Sequence, residues 1–180
     1  MALKSTIFKA ELLVSDLDRN HFATHSLTLA RHPSETDERM MVRLLAFALN
    51  ADEHLEFGRG LSSEDEPDLI QKDLTGAIEL WIDVGLPPER DVRKAAGRAR
   101  KVIVYTYGGR GATMWWDENR AALARLSNVS VVEVPVALTQ SLAALATRSM
   151  QLAVTVQERQ AWIADAAETL HLELADSTRQ

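Results

Sequence analysis

Glu66-Pro67-Asp68-Leu69-Ile70-Gln71-Lys72-Asp73-Leu74-Thr75-Gly76-Ala77-Ile78-Glu79-Leu80-Trp81-Ile82-Asp83-Val84-Gly85 decides how the chain folds. Its second half alternates. Ile78, Leu80, Ile82 and Val84 take one side of a half-buried strand, and Glu79, Trp81, Asp83 and Gly85 the other. Pro67 suits a strand start, and Thr75-Gly76 suits a two-residue hairpin loop with glycine second. In that register Leu74 lies opposite Ala77, Lys72 opposite Glu79, Ile70 opposite Trp81 and Asp68 opposite Asp83. Facing carboxylates are destabilising without a shared proton or a cation, and oxygen-only donors suit magnesium or manganese. A loop one residue longer would shift the register and make Asp68 a solvated turn aspartate. Spacing alone leaves both open.

At 180 residues, 46% of them hydrophobic and 26% charged, the composition is that of a globular domain able to bury roughly 70% of its unfolded surface. Zero cysteines exclude disulfides, thiolate zinc sites and a cysteine nucleophile. No apolar run resembles a signal peptide or a membrane span, so a cytoplasmic location without membrane partners is expected. The net charge of −6 argues against wholesale coating of nucleic acid and leaves room for a local basic surface.

Upstream, residues 5–14 read as a strand with Phe8, Ala10, Leu12 and Val14 buried, and residues 20–30 as its hairpin partner at a sheet edge. Ser34 and Asp37 resemble a capping box opening a helix to about Asn50, with Met41, Leu44, Leu45 and Ala48 as its apolar stripe. Glu38 stands on that same side. His54 to Phe57 is a short strand, and the loop that follows, to Glu66, is expected to be solvated.

Downstream, a helix from Pro88 to about Arg100 carries Arg90, Arg93, Lys94, Arg98 and Arg100 and is the one concentrated basic element. A solvated face is the plainer account of it, and Arg93, Lys94 and Arg98 as phosphate contacts the sharper one. Residues 101–107 form a strand buried on both faces, parallel to its predecessor across a crossover. A helix at about 112–126, a strand at 129–134, a short helix after Pro135 and strands within 149–175 complete the chain. Gly108-Gly109-Arg110-Gly111 lacks the lysine of a phosphate loop. Of five histidines, His21 and His25 share a strand face, while His32, His54 and His171 are scattered; two histidines without a third ligand make a weak metal site.

Ser26 to Met41, Asp65 to Leu69, Ile78 to Gly85 and Tyr105 to Arg110 resemble the YaeQ family of bacterial proteins over nearly the whole chain. That family is similar in fold to the PD-(D/E)xK nuclease superfamily, whose core runs helix, three antiparallel strands, helix, parallel strand. The resemblance implies an α/β (α+β) fold: one domain over residues 1–180, with a mixed central sheet flanked by helices. Its nuclease-like core would span about 34–134, with an added N-terminal hairpin and C-terminal strands. It further implies magnesium or manganese held by Asp68, Asp83 and Glu38, with nucleic acid as the partner and phosphodiester hydrolysis as the reaction. The superfamily's lysine would fall at Gly85. Lys72 lies roughly 13 Å along the strand from Asp68, so Lys94 is the candidate to replace it. A non-catalytic nuclease-like binding or interaction protein is the alternative.

Overall fold

A computed structural model describes residues 4–59 and 65–174. Residues 60–64 of the loop expected to be solvated lie outside the described residues, as does residue 175 of the C-terminal strand region. The described chain is mixed α+β, with four helices and two five-stranded mixed sheets. It falls into two compact units, one built from the chain up to Glu53 together with Ala137–Leu174, the other from His54–Val136.

In the first unit β1 (Thr6–Asp16) and β2 (His21–Arg31) form the expected hairpin. Phe8, Ala10, Leu12 and Val14 are buried, as the alternation requires. The C-terminal strands β8 (Ser149–Gln157), β9 (Gln160–Ala164) and β10 (Thr169–Glu173) join the sheet of the N-terminal hairpin. Strand β8 pairs in parallel with β1, giving one sheet in the order β10-β9-β8-β1-β2.

Helix α1 (Asp37–Leu49) begins later than expected, because Thr36 rather than Ser34 caps it by accepting from the Arg39 N–H. The Ser34 hydroxyl bonds the His32 ring instead. From Met40 to Leu49 the helix is buried on every side, so the stripe of Met41, Leu44, Leu45 and Ala48 is only part of its apolar surface. Arg43, 1% exposed, is buried with it and bonds both Glu35 oxygens, from Nε at 2.9 Å and Nη2 at 3.2 Å. Leu142 of α4 (Val136–Ala144) lines a small apolar cavity together with Leu12, Leu44, Leu45 and Leu152.

In the second unit β3 (Leu55–Phe57), β4 (Leu69–Lys72) and β5 (Ile78–Val84) are antiparallel. Helix α2 (Glu89–Ala96) leads to β6 (Ala99–Thr106), parallel to β5. Helix α3 (Arg110–Leu123) leads to β7 (Val129–Glu133), parallel to β6. Helix α2 stops four residues short of Arg100. Asn128 Nδ2 donates to the carbonyls of Ala96 and Ala99, satisfying the helix end, and β6 takes up the chain at once. Arg98 therefore lies in the turn and Arg100 in the strand. The third helix likewise starts and ends two to three residues earlier than residues 112–126.

Strand β5 is central and buried on both faces from Leu80 onward, not half-buried. Trp81, 1% exposed, packs with Val92 and Ala95 of α2, Val104 of β6 and Trp115 of α3. Alternation misled here because the polar positions Trp81 and Asp83 satisfy each other inside.

Candidate functional site

The β4–β5 turn has one residue more than the two-residue loop. Asp73 N–H donates to the Ala77 carbonyl and Gly76 N–H to the Asp73 carbonyl, leaving Leu74 in the turn and 98% exposed rather than opposite Ala77. The longer turn sets Lys72 opposite Ile78, not Glu79. An irregularity between Gln71 and Lys72 then restores the register, so that Gln71 meets Leu80, Ile70 meets Trp81 and Leu69 meets Ile82. Two single-residue offsets cancel, one in the turn and one in a bulge.

The strand bends at Asp68, one step beyond Leu69. Its N–H donates to the Ile82 carbonyl at 2.9 Å, and its Oδ2 accepts from the Val84 N–H at 2.7 Å. Asp68 thus continues the ladder with its side chain, beside Asp83, and is fully buried. On its other side, its carbonyl accepts from the Gly58 N–H at 2.8 Å. A Cβ built at Gly58 would lie 2.0 Å from the Pro67 oxygen, so only glycine lets β3 approach the Pro67-Asp68 segment this closely. Asp83, 4% exposed, accepts at Oδ1 from Trp81 Nε1 at 3.1 Å.

The basic candidates divide. Lys94 Nζ lies 3.1 Å from Asp65 Oδ1 and Arg98 Nη1 4.0 Å from the same oxygen, so both converge three residues before Asp68. Asp65 is therefore a partner of the basic helix rather than a bare loop carboxylate. The Arg98 guanidinium also stacks 5.2 Å above the Trp81 ring. Arg93 pairs along α2 with Glu89 at 3.7 Å, and Arg100 with Glu79 at 3.3 Å. Such exposed pairs hold charge in place more than they stabilise. Asp83, Trp81, Arg98, Asp65 and Lys94 form a connected series. Neither Trp81 nor Asp65 is among the site residues expected from the sequence, although Trp81 shares a strand face with Asp83 at two-residue spacing.

Glu38 occupies the first turn of α1, in the other unit, partly buried. Among the described residues no group of three histidine, cysteine or acidic side chains is arranged to hold a metal. No described helix is long and apolar enough to cross a membrane. Gly85, where the lysine would fall, has φ +116°, and its N–H donates to the Tyr105 carbonyl.

The model of the family described as "YaeQ protein" matches residues 1–174. The chain belongs to the YaeQ family. It is 46% identical over 174 residues to a protein of Salmonella typhi described as "Uncharacterized protein YaeQ", covering 97% of this chain and 96% of that one. Against the protein of the same description in Escherichia coli K12 the figures are 45%, 97% and 96%. The crystal structure of the YaeQ protein from Xanthomonas axonopodis pv. citri matches with a TM-score of 0.92 and 48% identity, over 96% of this chain and 98% of that one. The YaeQ protein from Pseudomonas syringae matches with a TM-score of 0.91 and 36% identity, over 96% of each chain.

Proposed function

We propose that this YaeQ-family chain is a divalent-metal-dependent phosphodiesterase acting on nucleic acid, centred on Asp68 and Asp83. The observation that carries the reading is the pair of bonds by which Asp68 holds the β5 backbone on either side of Asp83. Magnesium commonly keeps several waters and takes only one or two carboxylates, the substrate phosphate completing its shell, so two carboxylates would suffice without a third protein ligand. A carboxylate offers about four acceptor sites, so the bonds from Val84 N–H and Trp81 Nε1 are compatible with a cation. Manganese would serve as well.

A divalent ion there would supply charge neutralisation at the phosphate and a more acidic bound water. The remaining work falls to the chain. Trp81 fixes the orientation of Asp83. Lys94, held near the Pro67-Asp68 segment by Asp65, exchanges that exposed partner for a substrate phosphate, and Arg98 supports it from above Trp81. Arg93 extends the same basic face. Glu38 as a third ligand rests on the family likeness to PD-(D/E)xK nucleases alone.

A second reading, a non-catalytic nuclease-like binding protein, is favoured by Gly85 at the place of the lysine and by the burial of both carboxylates, Asp68 fully and Asp83 to 4% exposure. Calorimetric titration of Mn²⁺ into the wild type and an Asp68→Asn, Asp83→Asn variant separates the two. Binding lost in the variant, followed by metal-dependent cleavage of nucleic acid that Lys94→Ala abolishes, supports the hydrolase. Absence of binding to a folded wild type overturns it.

A further inference from the structure

His21 and His25 have no part in the site above, yet they form a built pair in the first unit. They lean toward one another over Ala23, bringing their Nε2 atoms to 3.0 Å. The ring planes differ by only 16°, and the centroids, 5.2 Å apart, are separated by about one ring diameter more than the nitrogens. The rings therefore meet edge to edge, nitrogen to nitrogen. That is the geometry of one N–H donating to one lone pair. A neutral imidazole protonates only one nitrogen, so the accepting histidine carries its proton on Nδ1. One added proton keeps the bond, as imidazolium to imidazole. A second sets two N–H groups against each other and breaks it.

The surroundings make the pair consequential. Among the described residues, strand β2 is an outer strand, with β1 as its one sheet neighbour. His25 meets the edge of the Phe47 ring of α1, centroids 5.2 Å apart at 75°. On β1, Asp16 lies opposite His21 and is held by Arg19, whose Nη2 also donates to the Ala51 carbonyl just past α1. Asp52 and Glu53, following α1, act on His25 in favour of its charged form. Burial first, then the His21 charge, outweigh them and lower its pKa from the ordinary 6.5.

We propose that the His21–His25 pair is a proton-operated latch that fastens the first half of β2 against Phe47 and releases it when the second proton binds. Because His25 has a folded pKa below its unfolded one, the stabilisation is complete above 6.5 and lost as pH falls through the lower folded value. The His21 charge disfavours a charge on His25, so the His25 proton is linked to its neighbour.

The test is nitrogen NMR of the imidazoles together with amide exchange protection at Ala23 and His25, from about pH 8 to about pH 5. The expected result is one Nδ1–H tautomer at the upper end and protection falling, by up to about tenfold per pH unit, through the coupled titration. His21→Gln should remove the coupling while the protein stays folded at the upper end. Two independent titrations with Nε2–H tautomers, or protection that ignores pH, would overturn the latch.

Discussion

Asp68 is bonded to the peptide groups on both sides of Asp83, donating to Ile82 and accepting from Val84. Removing the carboxyl therefore does more than delete a metal donor. Asp68→Ala leaves a buried N–H without its acceptor and should destabilise by about 1–3 kcal/mol. Asp68→Asn keeps an acceptor and should lose distinctly less. Urea denaturation of the two variants checks this; equal losses would mean that the Val84 bond contributes nothing.

Gly58→Ala should displace the Pro67-Asp68 segment, because the new methyl meets backbone rather than a yielding side chain. A loss of about 1–3 kcal/mol is expected, together with weaker Mn²⁺ binding. Unchanged melting and unchanged titration would show that the approach of β3 is not tight.

Placing a lysine at Gly85, two residues after Asp83, should not create activity. At Gly85 the positive φ costs a side-chain-bearing residue about 1–3 kcal/mol. Gly85→Lys is expected to melt lower and to gain no hydrolysis, whereas a stable and more active variant would reverse the assignment of Lys94.

Glu35→Ala should cost about 3–5 kcal/mol by stranding the Arg43 charge in the interior. Pairing Glu35→Leu with Arg43→Met should recover most of that. Denaturation of the single and double variants reads it directly.

The Thr75 hydroxyl, then the Thr75 N–H, hold the Asp73 carboxyl below its ordinary 3.8. A depressed carboxylate stabilises the folded form above its unfolded value, and that contribution disappears as pH falls through the folded one. Amide protection at Thr75 and Ala77 should therefore decline only below about 3.8 and be insensitive to acid in Asp73→Asn.

Strands and helices were legible wherever burial follows a period: Phe8 to Val14, Met150 to Val156 and the run from Val102 to Val104 lie as the alternation or its absence indicates. The neighbourhood of Asp68 and Asp83 was legible too, though through two offsets that cancel and that local turn rules do not encode. The side-chain bonds were not. Trp81 to Asp83, Lys94 to Asp65 and Arg43 to Glu35 depend on which surfaces close over one another, and a polar residue inside a strand or helix reads as solvent-facing until its partner is known. The pairing of β1 with β8 was illegible for a different reason: nothing local to either strand names a partner about 140 positions away.

That pairing has a consequence for the order of events during synthesis. The sheet that begins at Thr6 cannot close until Ser149–Gln157 has been made, while β3 to β7 form an uninterrupted stretch within it. Emerging from the ribosome, the middle of the chain is complete first, and β1 and β2 wait as a bare hairpin, which is marginal on its own in water. Closing so long a loop slows assembly of that sheet, though the entropy of closure grows only logarithmically with length. The late step in making this protein is the return of its end to its beginning.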